Sequence, residues 1–212
     1  MTSFFELLLS APPILIALTL HEFAHAWTAN RLGDPTAKNL GRLTLNPLAH
    51  LDLVGTILLF IARFGWAKPV PVDPRNFSRP QRDMMIVAAA GPISNLALAL
   101  FFGVAYQVLQ SEQLDGEFSD VLRFMMAYSV VINLVLAFFN LLPVPPLDGS
   151  KIIRVFLPES FLPAFARLES FGPFLLLGII VLGQYFHIAI FWTIIQPFVS
   201  FFSRLFAGVD LS

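Results

Sequence analysis

Three long runs of the sequence contain no charged residue. Residues 84–111, 124–147 and 170–203 hold no Asp, Glu, Lys or Arg. A soluble domain carries about 25% charged residues, whereas this chain carries 13% and is 57% apolar. In a bilayer every backbone polar group must be paired internally, so such runs fold there as helices. The sequence therefore predicts an all-α polytopic membrane protein.

The length of each run indicates how often it crosses the bilayer. A crossing needs about 20 apolar residues, so each of the first two runs fits one helix. The third would be about 50 Å long as one helix and is predicted to form a hairpin that turns near Gly183 and Gln184. A further helix is predicted from Phe4 to Ala29, while the segment from Leu53 to Ala62 is about half a crossing long. That short segment is predicted to be re-entrant or interfacial.

Basic residues predict the orientation, because Lys and Arg are enriched in cytoplasmic loops. They follow the first helix and precede the Met84 helix, so both of these ends are predicted to be cytoplasmic. The acidic loop at residues 111–120 is predicted to lie outside, and Lys151, Arg154 and Arg204 are predicted to lie inside. About five crossings result, or six if the Leu53 segment also crossed.

The N-terminal helix carries the pattern His21-Glu22-Phe-Ala-His25. Positions i and i+4 share one face of a helix, so two imidazoles at this spacing can hold one metal ion. Glu22 lies beside that face, where its carboxylate can reach a water on the metal without being a ligand. Ionisable groups are expensive inside a membrane and mark functional sites there. The pattern thus favours a metal site over a polar patch between helices.

A catalytic zinc ion needs a third protein ligand and an open position. The chain has no cysteine, so the ligand must be His, Asp or Glu. Asp148 is the best candidate, because it follows a proline-rich break at the cytoplasmic end of the Phe124 helix. Irregular backbone at membrane depth is tolerated only where protein buries it or where it lines a cavity. The alternative for Asp148 is an ordinary turn residue, of the kind that Asp-Gly marks.

Three motifs in this order resemble the site-2 protease family of intramembrane zinc metalloproteases. They are HExxH at residues 21–25, the stretch Gly91-Pro-Ile-Ser-Asn95, and the stretch from Asn140 to Gly149 with its Leu-Asp-Gly ending. The resemblance extends from the first helix to about Arg154. The sequence Trp66-Ala-Lys-Pro-Val-Pro-Val72 also resembles the family's short extended element, which would lie on the cytoplasmic side.

The resemblance implies a role for each matching residue. His21, His25 and Asp148 would bind one Zn²⁺ per chain, and Glu22 would be the general base. Asn140 would be a polar residue near the metal, where its amide N–H could stabilise a developing oxyanion. The short prokaryotic branch is the closest in pattern, so residues 1–212 are expected to form a single protease domain without a PDZ or CBS domain, in the cell membrane.

A protease of this kind would cut single-pass membrane proteins, whose helical carbonyls must first be released by unwinding. Lys68, Val70 and Val72 are predicted to offer a strand edge to the unwound substrate. Their proline neighbours have no N–H, so Val70 and Val72 would carry the pairing. The alternative is a rigid proline-rich connector on the membrane surface.

Two other functions compete with the protease. A transporter or ion channel could use the buried His, Glu and Asp residues as an ion path, although it does not explain the ordered motifs. An inactive scaffold would not need Glu22. Nucleic acid is excluded as a partner, because 13 Lys and Arg against 14 Asp and Glu leave no basic surface. Asn133, Asn95 and Ser94 are predicted to form hydrogen bonds between helices.

Overall fold

A computed structural model describes residues 4–62, 65–112, 116–186 and 189–211. Within these ranges the protein is helical and has no strand. Five helices are long and apolar enough to cross a membrane. The predicted all-α polytopic membrane fold is therefore confirmed. The helices are α1 (Phe4–Arg31), α2 (Thr36–Asn39), α3 (Leu53–Ala62), α4 (Pro80–Ser111), α5 (Glu117–Asn140), α6 (Asp148–Arg154), α7 (Leu162–Tyr185) and α8 (Ile190–Ala207).

Helices α1 and α4 begin and end close to the predicted positions, whereas α5 begins and ends seven residues before the predicted run 124–147, and α7 begins eight residues before the predicted residue 170. The candidate crossings are α1, α4, α5, α7 and α8. The third run forms two helices, α7 and α8, with α7 ending at Tyr185 and α8 beginning at Ile190. The Leu53 segment forms α3, a helix of 10 residues, which at about 15 Å is too short to cross.

Helix α4 lies at the centre of the bundle and contacts α1, α5, α6 and α8. Small residues line these contacts, because helix association in lipid depends on close packing rather than on expulsion of water. Ala99 of α4 packs with Val130 and Leu134 of α5 and with Val199 of α8 in one fully buried cluster. The central position of α4 brings it against the motif-bearing part of α1.

A break in regular helix separates α5 from α6. Helix α5 ends at Asn140, and the following residues include Pro143, Pro145 and Pro146 before α6 begins at Asp148. Prolines lack the N–H that a helix would need there. The backbone turns so sharply that a methyl group on Gly149 would lie 2.3 Å from the carbonyl oxygen of Leu141. The break returns the chain toward α4 and carries Asp148 with it.

The direction of α8 corrects one prediction. Phe191 near its start packs on Phe139 near the end of α5, whereas the carbonyl of Phe206 near its end accepts a hydrogen bond from Gln107 of α4 at 2.7 Å. Helix α8 therefore runs parallel to α4, and Arg204 lies at the end that carries the acidic loop. The prediction that Arg204 shares a side with Lys151 is wrong. Arg204 pairs with Asp210 at 2.6 Å, which balances its charge.

The connection between α1 and α4 is held by two buried side chains. Asp34 accepts hydrogen bonds from the backbone N–H of Asp73 at 2.8 Å and from the side chain of Asn76 at 2.7 Å. Arg42 donates to the carbonyl of Lys68 at 2.6 Å and to that of Pro69 at 3.2 Å. The stretch around Lys68 has neither helix nor ladder, and one antiparallel bridge joins Leu51 to Ala67. These contacts fix the proline-rich stretch at the end of α1.

Candidate metal centre

Three buried side chains converge between α1, α4 and α6. His21 and His25 lie one turn apart on α1, and their Nε2 atoms are 3.0 Å apart. The Oδ2 atom of Asp148 lies 3.2 Å from Nε2 of His21 and 3.1 Å from Nε2 of His25. Ligand atoms in a tetrahedral zinc site, at about 2.0–2.1 Å from the ion, are about 3.3 Å apart. The spacing of the three atoms thus suits one zinc ion.

Hydrogen bonds on the far side of each imidazole determine which nitrogen carries the proton. The Nδ1 atom of His25 lies 2.7 Å from the carbonyl oxygen of Val87, which can only accept. The Nδ1 atom of His21 lies 2.6 Å from Oδ1 of Asn95. Both Nδ1 atoms are therefore donors, and both Nε2 atoms present lone pairs to each other and to a carboxylate. Such a buried donor set needs a cation at its centre, so these residues fit a metal ion.

Helix α4 leaves room for that ion at Gly91. A methyl group at this position would lie 2.5 Å from Nε2 of His25 and 2.6 Å from Nε2 of His21. Any larger residue would fill the space between the ligand atoms. The backbone of Gly91 is ordinary helix, so glycine is not needed there for its backbone conformation. It is needed for the close approach of α4 to the ligand atoms.

The sequence as a whole decides the family. The model of peptidase family M50 matches residues 11–182. The chain belongs to this family. It is 40% identical over 200 residues to YwhC of Bacillus subtilis, which covers 92% of this chain and 90% of the relative. It is 32% identical over 185 residues to Rip2 of Mycobacterium tuberculosis, which covers 84% of this chain and 70% of the relative. The curated names of both give them provisionally as zinc metalloproteases, and no solved structure matches.

Membership of family M50 confirms the resemblance to site-2 proteases and the function predicted from it. The chain is an intramembrane zinc metalloprotease with several membrane-spanning helices, and membrane proteins are its substrates. No observation favours the transporter. Zinc is its metal, and the group His21, His25 and Asp148 is the one that can hold it among the described residues.

The buried carboxylate of Glu22 lies against the proline-rich stretch of this M50 protease. Its Oε2 atom accepts a hydrogen bond from the backbone N–H of Val70 at 3.0 Å. The neighbouring N–H of Lys68 is donated to the carbonyl of His50 at 2.8 Å. Val72 packs its side chain against the cluster around Ala29. Of the three residues predicted to bind substrate, Val70 is thus the one in contact with a predicted site residue.

Asn140 and Lys151 lie near the ends of the break between α5 and α6. The amide of Asn140 donates to the carbonyl of Leu136 at 3.0 Å, within its own helix. An amide has a second N–H, which this bond does not use. Lys151 lies 3.5 Å from Oδ1 of Asp148, so the carboxylate oxygen that faces away from the histidines has a cationic neighbour.

Three contacts of the site could not be read from the sequence. The role of Gly91 and the carbonyl of Val87 depend on how closely α4 approaches α1. Asn95 was expected to join helices and, by the resemblance, to belong to a motif packed against the site; it joins α4 to α5 and contacts His21. The prediction for Asn133 is confirmed, because it joins α5 to α4 through Asn95 at 2.8 Å. The sequence signal for these contacts was the presence of two amide side chains, Asn95 and Asn133, in largely apolar helices.

Proposed function

We propose that this protease is of the HExxH type, with His21, His25 and Asp148 as the zinc ligands and Glu22 as the general base. Its substrates are single-pass membrane proteins, and its location is the cell membrane. One observation carries the assignment: two Nε2 lone pairs and one carboxylate oxygen meet at 3.0–3.2 Å, with both Nδ1 protons directed elsewhere. This arrangement is what a hydrolytic zinc site requires from its protein.

The chain's own residues divide the work of peptide hydrolysis. Zinc, when bound, supplies Lewis-acid chemistry that activates water and polarises the scissile carbonyl. Glu22 takes the proton of the attacking water and later delivers it to the leaving amine. Because Oε2 of Glu22 accepts the N–H of Val70, Oε1 is the oxygen left to carry that proton. The Val70 amide thereby fixes the orientation of the base.

Asn140 is proposed as a donor to the oxyanion that develops on the scissile carbonyl. A preorganised donor at such a position is typically worth a factor of about 100–1,000 in rate. The bond from Asn140 to Leu136 would hold the amide in place while its second N–H serves the substrate. Asn140→Asp is expected to lower turnover without releasing zinc.

Lys68, Val70 and Val72 are proposed to line the path of the unwound substrate. Arg42 fixes this stretch through the carbonyls of Lys68 and Pro69, so it is rigid before substrate arrives. Because the N–H of Val70 is already bonded to Glu22, Val70 offers its carbonyl rather than its N–H to a substrate strand, which would then lie beside the base. Rigid positioning of a substrate against the base is the source of much enzymatic rate.

The test compares cleavage and zinc content in the same preparations. Purified protein is reconstituted in phosphatidylcholine vesicles with a synthetic single-span peptide that carries an Asn-Pro break, and fragments are measured by mass spectrometry. Glu22→Gln is expected to keep its zinc and to cut at least about 100-fold more slowly. Glu117→Gln, at the start of α5, is the matched control and should cut normally.

Two results would contradict the proposal. If Glu22→Gln cut as fast as Glu117→Gln, Glu22 would not be the base. If Glu22→Gln lost its zinc, Glu22 would be a ligand instead. A peptide without the Asn-Pro break should be cut more slowly, and equal rates for the two peptides would refute the requirement for unwinding.

A further inference from the structure

We propose that Asn133 and Asn95 form a relay of positioning residues that fixes His21 in its metal-binding tautomer. Asn133 touches no metal ligand and acts through Asn95. This inference rests on the proposed metal site and assigns a role to two residues beyond it. Hydrogen-bond partners of metal-binding histidines set the ring tautomer and typically change metal affinity by about 10–100-fold.

The relay has one direction, because backbone carbonyls determine it. The amide nitrogen of Asn133 donates to the carbonyl oxygen of Ser129 at 2.8 Å, an atom that can only accept. The Oδ1 atom of Asn133 therefore faces α4, where it accepts from the amide nitrogen of Asn95 at 2.8 Å. That nitrogen also donates to the carbonyl of Ala17 at 3.2 Å. Both bonds orient the Asn95 amide in the same sense.

The last bond of the relay reaches the metal centre. With its nitrogen committed, Asn95 presents Oδ1 to Nδ1 of His21 at 2.6 Å. The proton of His21 is therefore on Nδ1, and its Nε2 lone pair points toward Asp148 and His25. If the Asn95 amide were reversed, its nitrogen would favour the opposite tautomer and put a proton where the metal must bind.

No solvent is available to replace these bonds. Asn95 and Asn133 are both 0% exposed, and the three side chains come from α5, α4 and α1 in turn. A buried amide without its partner loses about 1–3 kcal/mol, so the relay keeps its direction. A simple bond between helices would not require the amides to point one way.

The two histidines differ in the hydrogen-bond acceptor that determines their ring tautomer. The Nδ1 proton of His25 is donated to the carbonyl of Val87, which belongs to the backbone and is retained in every variant. The Nδ1 proton of His21 is donated to the side chain of Asn95, which the carbonyl of Ala17 and the side chain of Asn133 orient together. His21 is therefore the ligand that substitutions at distant positions can switch, and Asn133 is the most distant of them in the relay.

The test measures the tautomer of His21 and the affinity for zinc. The full-length protein is labelled with ¹⁵N-histidine, and the protonation of each ring nitrogen is read by NMR in the metal-free state. Zinc affinity is measured by competition with a chelator. Asn95→Leu is expected to give mixed tautomers at His21 and to weaken zinc binding by about 10–100-fold. Asn133→Leu is expected to change both in the same direction, by about tenfold in affinity.

Two further variants separate a relay from a structural role. Asn95→Asp keeps an acceptor for the Nδ1 proton, so it should restore the tautomer and most of the zinc affinity that Asn95→Leu loses. The double variant with Leu at residues 95 and 133 should bind zinc no more weakly than Asn95→Leu, because Asn133 acts only through Asn95. Ser203→Ala removes a buried hydroxyl from α8 and serves as the control, with no change expected.

The outcomes distinguish this inference from the proposed function. Wild-type affinity and a single His21 tautomer in Asn95→Leu and Asn133→Leu would overturn the relay and leave the metal site intact. Additive losses in the double variant would show that Asn133 acts independently, which also overturns it. A wild-type protein that binds no zinc would refute the metal site, and the tautomer measurement would still decide the relay. If Asn133→Leu does not fold, Asn133→Ala takes its place and is judged by the same outcomes.

Discussion

Gly91→Ala is expected to abolish tight zinc binding by adding a single methyl group. That methyl would lie 2.5 Å from Nε2 of His25 and 2.6 Å from Nε2 of His21, where ordinary contacts begin at 3.4 Å. Each ring would have to retreat by about 0.8–0.9 Å, whereas a zinc site tolerates about 0.2 Å in its ligand distances. The histidines cannot retreat freely, since their Nδ1 atoms are bonded to Val87 and Asn95.

A loss of at least about 100-fold in zinc affinity follows, or about 2.8 kcal/mol at 1.4 kcal/mol for each factor of ten. Chelator competition on purified protein measures it, and thermal unfolding of the metal-free protein checks that the variant folds. Gly178→Ala in α7 is the matched control, because a methyl there meets nothing within 4 Å. That variant should bind zinc normally. A Gly91→Ala protein that binds zinc as tightly as Gly178→Ala would refute the assignment of the ligands.

Two further predictions concern the parts that hold the site. Gly149→Ala would place a methyl group 2.3 Å from the carbonyl oxygen of Leu141. It should therefore lower the free energy of unfolding by about 1–3 kcal/mol and reduce the zinc content. Thermal unfolding equal to that of the wild type would contradict the tight turn. Burial raises the pKa of Asp34, but the hydrogen bonds from Thr36, Asn76 and Asp73 outweigh it, and the pKa is lowered overall. A carboxyl group whose pKa is lower in the folded than in the unfolded state stabilises the fold at pH values above its unfolded-state pKa, and this stabilisation is lost as the pH falls. The thermal stability of the wild type should therefore drop below about pH 4, and that of Asp34→Asn should drop less. An equal drop in the two proteins would contradict the role of Asp34.

The helices and the three side chains that the structure brings together, His21, His25 and Asp148, could be predicted from the sequence because each depends on local pattern. Charge-free runs define the crossings, and the i, i+4 spacing of His21 and His25 places both on one face of α1 without any tertiary information. Asp148 was identifiable because it directly follows a proline break in a membrane helix. The short apolar segment Leu53–Ala62 was recognised from the sequence with the bounds that helix α3 has in the structure.

The rest depends on how helices approach one another, which local pattern does not contain. The bond between Val70 and Glu22 joins residues 48 positions apart. The relay from Asn133 to His21 requires that three helices meet at one level. The prediction of the direction of α8 was wrong for a different reason. It depended on one arginine, which is a weak topology signal, and Arg204 has an ion-pair partner in Asp210.

The measurement that tests the account most directly is the metal content of the purified protein. Protein isolated in detergent without chelators is analysed for zinc, beside Asp148→Ala and the control Gly178→Ala. The account predicts about one zinc ion per chain in the wild type and the control, and a loss of zinc in Asp148→Ala, because Oδ2 of Asp148 lies within 3.2 Å of both imidazole Nε2 atoms. A folded Asp148→Ala protein that retains its zinc would contradict it, as would a folded wild type that contains none.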